Sequence, residues 1–168
     1  MLQTPDLILD KGRMEDWKAM YENVWRYEET ARYMMWRPKK TEQEGYEMTQ
    51  GFLAFQEANP AVYFVYEKKS GMPIGYAGMK EMGEGVFEDS GIAVGPRFTG
   101  KGYGKQILQA LLSQAFEELG ARKFIYSCWA ENIPSNKLAL SAGFRLTRAE
   151  ETVDPRSGQT FIMNYYEK

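Results

Sequence analysis

The sequence predicts an α+β fold, with a mixed, mostly antiparallel central sheet of about seven strands and about four flanking helices. Three aromatic and β-branched segments between residues 61 and 95 are joined by short Gly-containing turns, a pattern typical of an antiparallel meander. The helical pattern that follows them leads into another strand pattern, which indicates one parallel crossover. We expect residues 1–168 to form a single domain.

The N-terminal segments predict a short strand and two helices. The strand is expected over Leu7–Leu9 and the first helix over Met14–Tyr27, where apolar and aromatic residues recur at helical spacing. Thr41, with Glu44 three residues later, is the signature of a capping box at the start of a helix. This second helix is expected to run to about Ala58, before an Asn-Pro pair that stops it.

The central segments predict the meander and the longest helix. Strands are expected over Ala61–Glu67, Pro73–Met82 and Val86–Gly95. From Tyr103 to Leu119 the apolar residues fall on one face at a period of about 3.6 residues, which predicts an amphipathic helix. Gly120 is placed to cap its carboxyl end.

The C-terminal segments predict a strand, a short helix and a closing hairpin. The strand is expected over Lys123–Trp129 and the helix over Asn132–Ala142. Arg145–Val153 and Gln159–Tyr166 then pair around a Pro- and Gly-containing turn. The aromatic last strand could pair across a dimer or be covered internally, so both a monomer and a homodimer are consistent with the sequence.

Composition excludes several classes of protein. A formal net charge of −2 argues against a general nucleic-acid-binding protein, and the longest apolar run, Ala61–Tyr66, is too short to span a membrane. Acidic residues at Asp6 and Asp10 predict that no signal peptide is present. Cys128 is the only cysteine, which fits a reducing cytoplasm. The chain has no histidine, so Ser-His-Asp catalysis and imidazole-bound zinc are excluded, and we expect no metal.

The loop between the strand ending near Val94 and the helix starting at Tyr103 has the composition of an anion-binding site. Glycines at alternate positions let an anion approach the backbone closely, and amides at a helix start bind it together with the helix dipole. The glycines are Gly100, Gly102 and Gly104, and the cations in the same loop are Arg97, Lys101 and Lys105. A diphosphate suits this arrangement, whereas a glycine-rich turn alone would explain neither the glycines nor the cations.

Two familiar phosphate loops each fail by one residue. A Walker A loop starting at Gly95 would need Ser or Thr at position 102, where Gly102 supplies no Mg²⁺-binding hydroxyl. A dinucleotide fingerprint starting at Gly100 would need glycine at position 105, which is Lys105.

Two motifs resemble those of the GNAT acetyltransferase superfamily. Arg97-x-x-Gly100-x-Gly102 is similar to its [Q/R]-x-x-G-x-[G/A] pyrophosphate motif, and Asn132–Leu138 with Ala142–Phe144 is similar to its N-x-x-S…GF segment. The segment 31–38, followed by Thr at position 41, resembles the RimJ/RimL-like branch in particular. The resemblance covers essentially the whole chain.

The resemblance implies an N-acetyltransferase that moves an acetyl group from acetyl-CoA to a primary amine by direct attack in a ternary complex. It implies a sheet that splays open between the strands ending near Val94 and Trp129, with acetyl-CoA in the wedge and its pantetheine paired with the strand backbone. The cofactor-binding residues implied are Ile92, Ala93, Val94, Arg97, Phe98, Thr99, Gly100, Lys101, Gly102, Tyr103, Gly104, Lys105, Asn132, Ser135 and Lys137.

The catalytic candidates are two carboxylates and a hydroxyl. Asp89 and Glu88 lie on the strand that enters the wedge, and either could accept the amine proton through water, although alternation on a strand turns one of them to solvent. Many relatives use a tyrosine as acid where this chain has Ala139. The resemblance to RimL-like members implies that Ser135 is the acid instead, although Ser135 could equally serve only as a helix cap. The missing tyrosine keeps one alternative open, a non-catalytic acyl-CoA-binding sensor of the same fold.

The acceptor is either a protein N-terminus or a small-molecule amine. A protein would require an open groove between the N-terminal helices and the C-terminal hairpin, lined by acids or bases. A small amine would require a closed pocket lined by carboxylates such as Glu42, Glu44, Glu81, Glu84, Glu88, Asp89, Glu150 and Glu151. Aromatic candidates for the acceptor pocket are Trp17, Trp25, Tyr33 and Trp36.

Overall fold

The computed structural model describes residues 1–168 and contains one eight-stranded sheet with helices on both faces. The strands are β1 (Leu2–Gln3), β2 (Leu7–Asp10), β3 (Val62–Glu67), β4 (Pro73–Gly83), β5 (Val86–Val94), β6 (Lys123–Trp129), β7 (Arg145–Val153) and β8 (Thr160–Glu167). The α+β class and the mostly antiparallel sheet are confirmed. The eighth strand is the two-residue β1, too short to give a sequence pattern.

The helices are α1 (Trp17–Met20), α2 (Glu28–Ala31), α3 (Glu42–Ala58), α4 (Tyr103–Ser113) and α5 (Ile133–Ser141). Thr41 caps α3 as predicted: its hydroxyl accepts the Glu44 amide at 3.2 Å while the Glu44 carboxylate accepts the Thr41 amide at 3.0 Å. None of the helices combines the length and apolar composition needed to cross a bilayer.

The strand order β1-β2-β3-β4-β5-β6-β8-β7 contains a single parallel neighbour pair, β5 with β6, joined by the predicted crossover through α4. These two strands pair only at Val86–Glu88, opposite Lys123–Ile125. Beyond that point they separate, and we call the point of separation the fork. The fork splits the sheet into two arms and creates the predicted wedge.

The core lies on both faces of the sheet. One face packs against α4 and α5 in a cluster of 20 buried residues that includes Leu108, Leu111 and Phe124. The other face packs against the N-terminal helices through seven buried residues, with Trp25 at the centre. Trp25 Nε1 donates to the Thr49 hydroxyl at 3.0 Å, so even this buried polar atom has a partner.

The predicted single helix over Met14–Tyr27 is wrong in one respect. A 3₁₀ turn precedes α1, a π-helical turn at Tyr21–Trp25 follows it, and the separate helix α2 comes next. The wider turn serves tertiary contacts of Asn23, whose side-chain amide donates to the Pro73 carbonyl at 2.8 Å. Such contacts are not visible in local periodicity.

The closing hairpin is confirmed, but the edge strand is not the aromatic one. β8 pairs with β6 on one side and β7 on the other, so its aromatic residues are inside the sheet. β7 forms the free edge, and almost all of its residues are exposed. Pairing across a dimer through the hairpin would therefore involve β7, while the two-residue β1 forms the other edge of the sheet.

Candidate active site

A cleft of about 660 Å³ opens at the fork between β5 and β6. We call it the reaction cleft. Its walls come from both arms of the sheet, from the glycine-rich loop that precedes α4, and from the start of α5. A fourth wall is the segment Tyr33–Trp36, which joins the N-terminal helices. The lining is mainly apolar, with few polar groups, as is typical of binding sites for small molecules and cofactors.

Asp89 lies at the fork and spans it. One carboxylate oxygen accepts the Ser127 amide of β6 at 2.7 Å, and the other accepts the Gly91 amide at 3.2 Å. Burial, with a smaller contribution from the charge of Glu88, raises the pKa of Asp89 to about 7, and the amide hydrogen bonds oppose part of this rise. A carboxyl with this pKa can take up and release a proton near neutral pH.

Glu88 faces away from the reaction cleft, as strand alternation requires once Asp89 faces into it. Its register partners are Lys80 on β4 and Ile125 on β6. The structure therefore separates the two carboxylate candidates: Asp89 borders the space where substrates can meet, and Glu88 does not.

The glycine-rich loop presents a row of unused amides. None of the six backbone N–H groups from residue 100 to residue 105 donates a hydrogen bond to another group of the chain. Gly102 is the N-cap of α4 with φ +77°, a left-handed conformation that turns the loop into the helix. Consecutive free amides at a helix start form an anion site, and this one borders the reaction cleft.

Two of the three loop cations, Arg97 and Lys101, hold the loop in place instead of pointing into the cleft. Arg97 donates to the Asn23 side-chain oxygen at 2.6 Å, which ties the loop to the π-helical turn. Lys101 pairs with Glu67 at 3.3 Å, and the buried Tyr103 hydroxyl donates to the same carboxylate at 2.7 Å. Lys105 is exposed and has no ion-pair partner.

Gly95 is required for packing, although the motif comparison drew attention to it as a phosphate residue. A Cβ at this position would lie 1.9 Å from the carbonyl oxygen of Asn23, so no larger residue fits without backbone movement. Gly95 and Arg97 thus fasten the loop to the same turn of the N-terminal region.

Ser135 lies on the opposite side of the reaction cleft, in the first turn of α5. Its hydroxyl shares a hydrogen bond of 2.7 Å with the Tyr126 hydroxyl, and its amide is capped by the Asn132 side chain at 3.3 Å. The cap is therefore Asn132, which leaves the Ser135 hydroxyl free for another task. Ala139, at the position where relatives have a tyrosine, is fully buried.

Burial keeps the other acidic groups beside Ser135 protonated. It raises the pKa of the Cys128 thiol to about 11, which disfavours the thiolate that a nucleophile would need. It also raises the pKa of Tyr126, and the nearby charge of Asp89 adds to this effect. Tyr126 is therefore a hydrogen-bond donor at neutral pH, hydrogen-bonded directly to Ser135.

The structure brings together most of the residues singled out in the sequence. Those that line the reaction cleft are Asp89, Ile92, Val94, Phe98, Thr99, Gly100, Gly102, Tyr103, Gly104, Asn132 and Ser135. Those that do not line it are Glu88, Ala93, Arg97, Lys101, Lys105 and Lys137. The second group contains all the cations, so none of the basic side chains singled out in the sequence lines the cleft.

The sequence placed the wedge beside the strand that ends near Trp129, but it singled out few of the residues that line this side of it. Every residue from Tyr126 to Trp129 borders the reaction cleft, because β6 exposes its edge as well as one face beyond the fork. A rule of alternation finds only every second residue of such a segment. Tyr76 and Met163 also line the cleft, and their side chains have no local signal that distinguishes them from core residues.

The aromatic candidates divide into two pairs. Tyr33 and Trp36 line the reaction cleft, and Trp36 Nε1 donates to the Tyr76 hydroxyl at 2.9 Å. Trp25 is fully buried in the core, while Trp17 packs edge-on against Tyr46 at 5.7 Å; neither borders the cleft.

A second cavity, of about 830 Å³, lies between the N-terminal segment and the C-terminal hairpin, and we call it the polar groove. Trp129 borders both cavities and so separates them. The charged residues of the polar groove are Arg32, Arg37, Lys39, Lys40 and Arg156 with Glu28, Glu44, Glu131 and Asp154. Asp154 is paired with Arg156, and Glu44 is used in the helix cap, so the remaining charges are mainly positive.

The comparison with known families decides the classification. A model of the acetyltransferase (GNAT) domain matches residues 6–145. The chain belongs to the GNAT acetyltransferase family. The resemblance carried by its loop and α5 motifs is confirmed, as is the enzyme class that it implied.

Relatives of this GNAT protein match it over almost its whole length. The uncharacterized N-acetyltransferase YnaD of Bacillus subtilis (strain 168) is 26% identical over 98% of this chain and 94% of its own. A GNAT-family acetyltransferase from Bacillus anthracis has a similar structure, with a TM-score of 0.85, 21% identity and coverage of 99% and 96% of the two chains. RimL, a ribosomal L7/L12 alpha-N-protein acetyltransferase solved with coenzyme A, has a TM-score of 0.80, 19% identity and coverage of 98% and 94%.

Proposed function

We propose that this GNAT protein transfers the acetyl group of acetyl-CoA directly to a primary amine, and that the amine is the N-terminus of a protein. The observation that carries the transfer is the reaction cleft itself, which has a row of free amides at one end and a titratable carboxyl, Asp89, at the fork. The coenzyme A bound to RimL supports the same choice of cosubstrate.

The residues present fit acetyl-CoA. Six free amides at the start of α4 suit a diphosphate, which needs several donors and little space beside the backbone. From the fork onward β5 has no strand partner on its β6 side, so Ile92–Val94 offer an unpaired edge that suits the amides of pantetheine. Bound there, acetyl-CoA would supply an activated acetyl group, and the chain's own residues would orient the amine and move protons.

Asp89 is the proposed base. In its ionised form the carboxylate accepts a proton from the incoming amine, directly or through a bridging water. Its hydrogen bonds from Ser127 and Gly91 fix the orientation of the carboxylate. The pKa of about 7 means that a large fraction is ionised at neutral pH and that the group is still basic enough to accept a proton.

Ser135 is the proposed acid, and Tyr126 stabilises its deprotonated form. The Ser135 hydroxyl passes its proton to the departing sulfur while the Tyr126 hydroxyl donates a hydrogen bond to the Ser135 oxygen, and Ser135 regains a proton from solvent after the thiol leaves. Ser135→Ala is expected to lower kcat by about 10- to 100-fold, because the departing sulfur loses its donor. The affinity for acetyl-CoA should stay within about 2-fold of the parent, because the loop amides are untouched. Steady-state kinetics measure kcat, and calorimetric titration with coenzyme A measures the affinity for the cosubstrate.

Tyr126→Phe is the matched variant for Ser135→Ala. It removes the hydrogen bond from Tyr126 to Ser135 but keeps the Ser135 hydroxyl, so its loss of kcat should be smaller. A larger loss in Tyr126→Phe than in Ser135→Ala would assign the acid to Tyr126 instead.

The polar groove supports a protein acceptor. It is an open groove between the N-terminal segment and the C-terminal hairpin and is lined by charged side chains, as a polypeptide would require. A small amine would instead need carboxylates around the reaction cleft, and of the eight candidates only Asp89 lines it. RimL, described as acting on the N-terminus of a ribosomal protein, supports the same class of acceptor.

The test compares acceptors of the two classes with the same donor. Peptides of about ten residues with a free N-terminus should be acetylated with a higher kcat/KM than polyamines or aminoglycosides, because only peptides extend into the polar groove. N-terminally blocked peptides are the control. Better use of a small amine would overturn the protein acceptor. Coenzyme A binding without transfer to any amine would favour the non-catalytic sensor.

A further inference from the structure

The turn between β7 and β8 is built around a buried ion pair. Asp154 is 5% exposed, and its carboxylate accepts the backbone amide and the guanidinium of Arg156 at 2.9 Å. These hydrogen bonds from Arg156 hold the pKa of Asp154 down to about 2, against an opposing effect of burial. The turn is therefore rigid, although it lies between two long strands at the edge of the molecule.

The guanidinium of Arg156 uses all five of its N–H groups. Nε and Nη2 donate to Asp154, and the remaining groups reach across to the N-terminal region. Nη1 donates to the carbonyl oxygens of Ala31 at 2.9 Å and Trp36 at 3.0 Å, and Nη2 donates to that of Arg32 at 3.1 Å. The side chain is only 16% exposed, so these bonds are shielded from water.

The three carbonyls belong to the segment that forms a wall of the reaction cleft. Ala31 and Arg32 end the short helix α2, where carbonyl groups lack partners within the helix. Trp36 lies on the other side of the irregular stretch Tyr33–Met35, so Arg156 fastens both ends of that stretch. The guanidinium also lies over the ring of Trp129, 5.8 Å from its centroid, and Trp129 lines the reaction cleft beside this segment, with its ring packed against that of Tyr33 at 5.7 Å.

We propose that Arg156, oriented by Asp154, is a positioning residue for the acceptor: it fixes the spacing between the Tyr33–Trp36 wall and Trp129 and so selects which amines reach the acetyl group. Arg156 lines the polar groove but not the reaction cleft, so the KM of an acceptor too short to enter the groove isolates its effect through the wall. It acts through the backbone of residues 31–36, and none of its hydrogen bonds is to the loop at residues 100–105. This inference rests on the proposed transfer to an amine that enters past that wall.

The test measures the two substrates separately in Arg156→Ala, Arg156→Lys and the control Arg148→Ala. The acceptor KM should rise about 10-fold or more in Arg156→Ala while the Kd for acetyl-CoA stays within about 2-fold, because only the acceptor wall is loosened. Arg156→Lys should behave like Arg156→Ala, because one ammonium cannot replace a planar group that bonds a carboxylate and three carbonyls. Arg148 is an exposed arginine of the same hairpin, paired with Glu150, and its removal should change neither constant.

Two further readouts separate positioning from a general loss of stability. The ratio of kcat/KM between a preferred and a poor acceptor should fall towards one in Arg156→Ala, because a loosened wall discriminates less. Amide hydrogen exchange should speed up in residues 31–36 and stay unchanged in residues 100–105. Equal changes in both substrate constants, unchanged exchange in residues 31–36, or full rescue by Arg156→Lys would each overturn the proposal. If the parent protein acetylates no amine, the proposed function fails. The exchange experiment still tests whether Arg156 holds residues 31–36 in place.

Discussion

Gly102→Glu is expected to abolish binding of acetyl-CoA at concentrations that saturate the parent protein. The φ of +77° at Gly102 disfavours any L-residue by about 1–2 kcal/mol. A carboxylate about 4 Å from a diphosphate charge adds about 1–4 kcal/mol, depending on exposure to water. The strain is present with and without the ligand and so lowers stability, whereas a repulsion of about 3 kcal/mol by itself corresponds to a Kd more than about 100-fold weaker.

Thermal shift measures this directly. Acetyl-CoA at about 100 times its Kd should stabilise the parent protein by about 2.7 kcal/mol, and this increment should vanish in the variant. Gly51→Glu is the matched control, because Gly51 is an exposed residue of α3 with open space around it and no positive φ. ATP with Mg²⁺ and NAD should produce no shift. Retained binding in Gly102→Glu, or stabilisation by ATP, would assign the loop to a different ligand.

Asp89→Asn is expected to lower kcat by about 100- to 10,000-fold, because the amide cannot accept the amine proton. In the parent protein the base is active when ionised, so the rate should rise with pH through about 7 and then level off. The variant should lose this rise and keep only the dependence set by the acceptor amine. Rates measured between pH 5.5 and 9 in both proteins provide the comparison.

The stability of Asp89→Asn separates lost chemistry from lost folding. The pKa of Asp89 in the folded protein, about 7, lies above the value of 3.8 for an unfolded chain, so the protonated form stabilises the fold. That contribution is fully present below pH 4 and is lost as pH rises through 7. Asparagine stays neutral but has only one acceptor oxygen for the Ser127 and Gly91 amides, so the variant should melt below the parent, and by less at pH 8, where the parent carries a buried charge, than at pH 5. A larger loss of kcat in Glu88→Gln than in Asp89→Asn would move the base to Glu88.

Much of the fold follows from local patterns. The β3–β5 meander, the crossover through α4 and the capping box at Thr41 depend on interactions between residues close in sequence, and all are confirmed. The breakdown of the N-terminal helix at Tyr21–Trp25 depends on contacts with the loop at Gly95 and with β4. These partners lie about 50 or more residues away, where periodicity carries no information.

Some residues of the candidate site could be predicted from the sequence, and others depend on the tertiary structure. The glycine-rich loop and Ser135 could be found because each belongs to a short motif with a fixed spacing. Which of Asp89 and Glu88 faces the cleft depended on the register of β5, which the sequence leaves open. Tyr126, Trp129 and Arg156 gain their positions from the fork and from the turn of the hairpin, and neither of these features has a motif.

Because β5 and β6 pair over only a short stretch, a small rotation at the fork moves the far end of β5 by a larger distance. Only three residue pairs join the two arms, and the cleft extends about six residues further along β5, or about 20 Å at 3.3 Å per residue. A rotation of about 5° at the joint therefore displaces the far end of the arm by about 2 Å, more than half the length of a hydrogen bond. Small volume changes at buried positions of the joint, such as Phe87 and Phe124, should be magnified at the mouth of the cleft, far from the substituted atom.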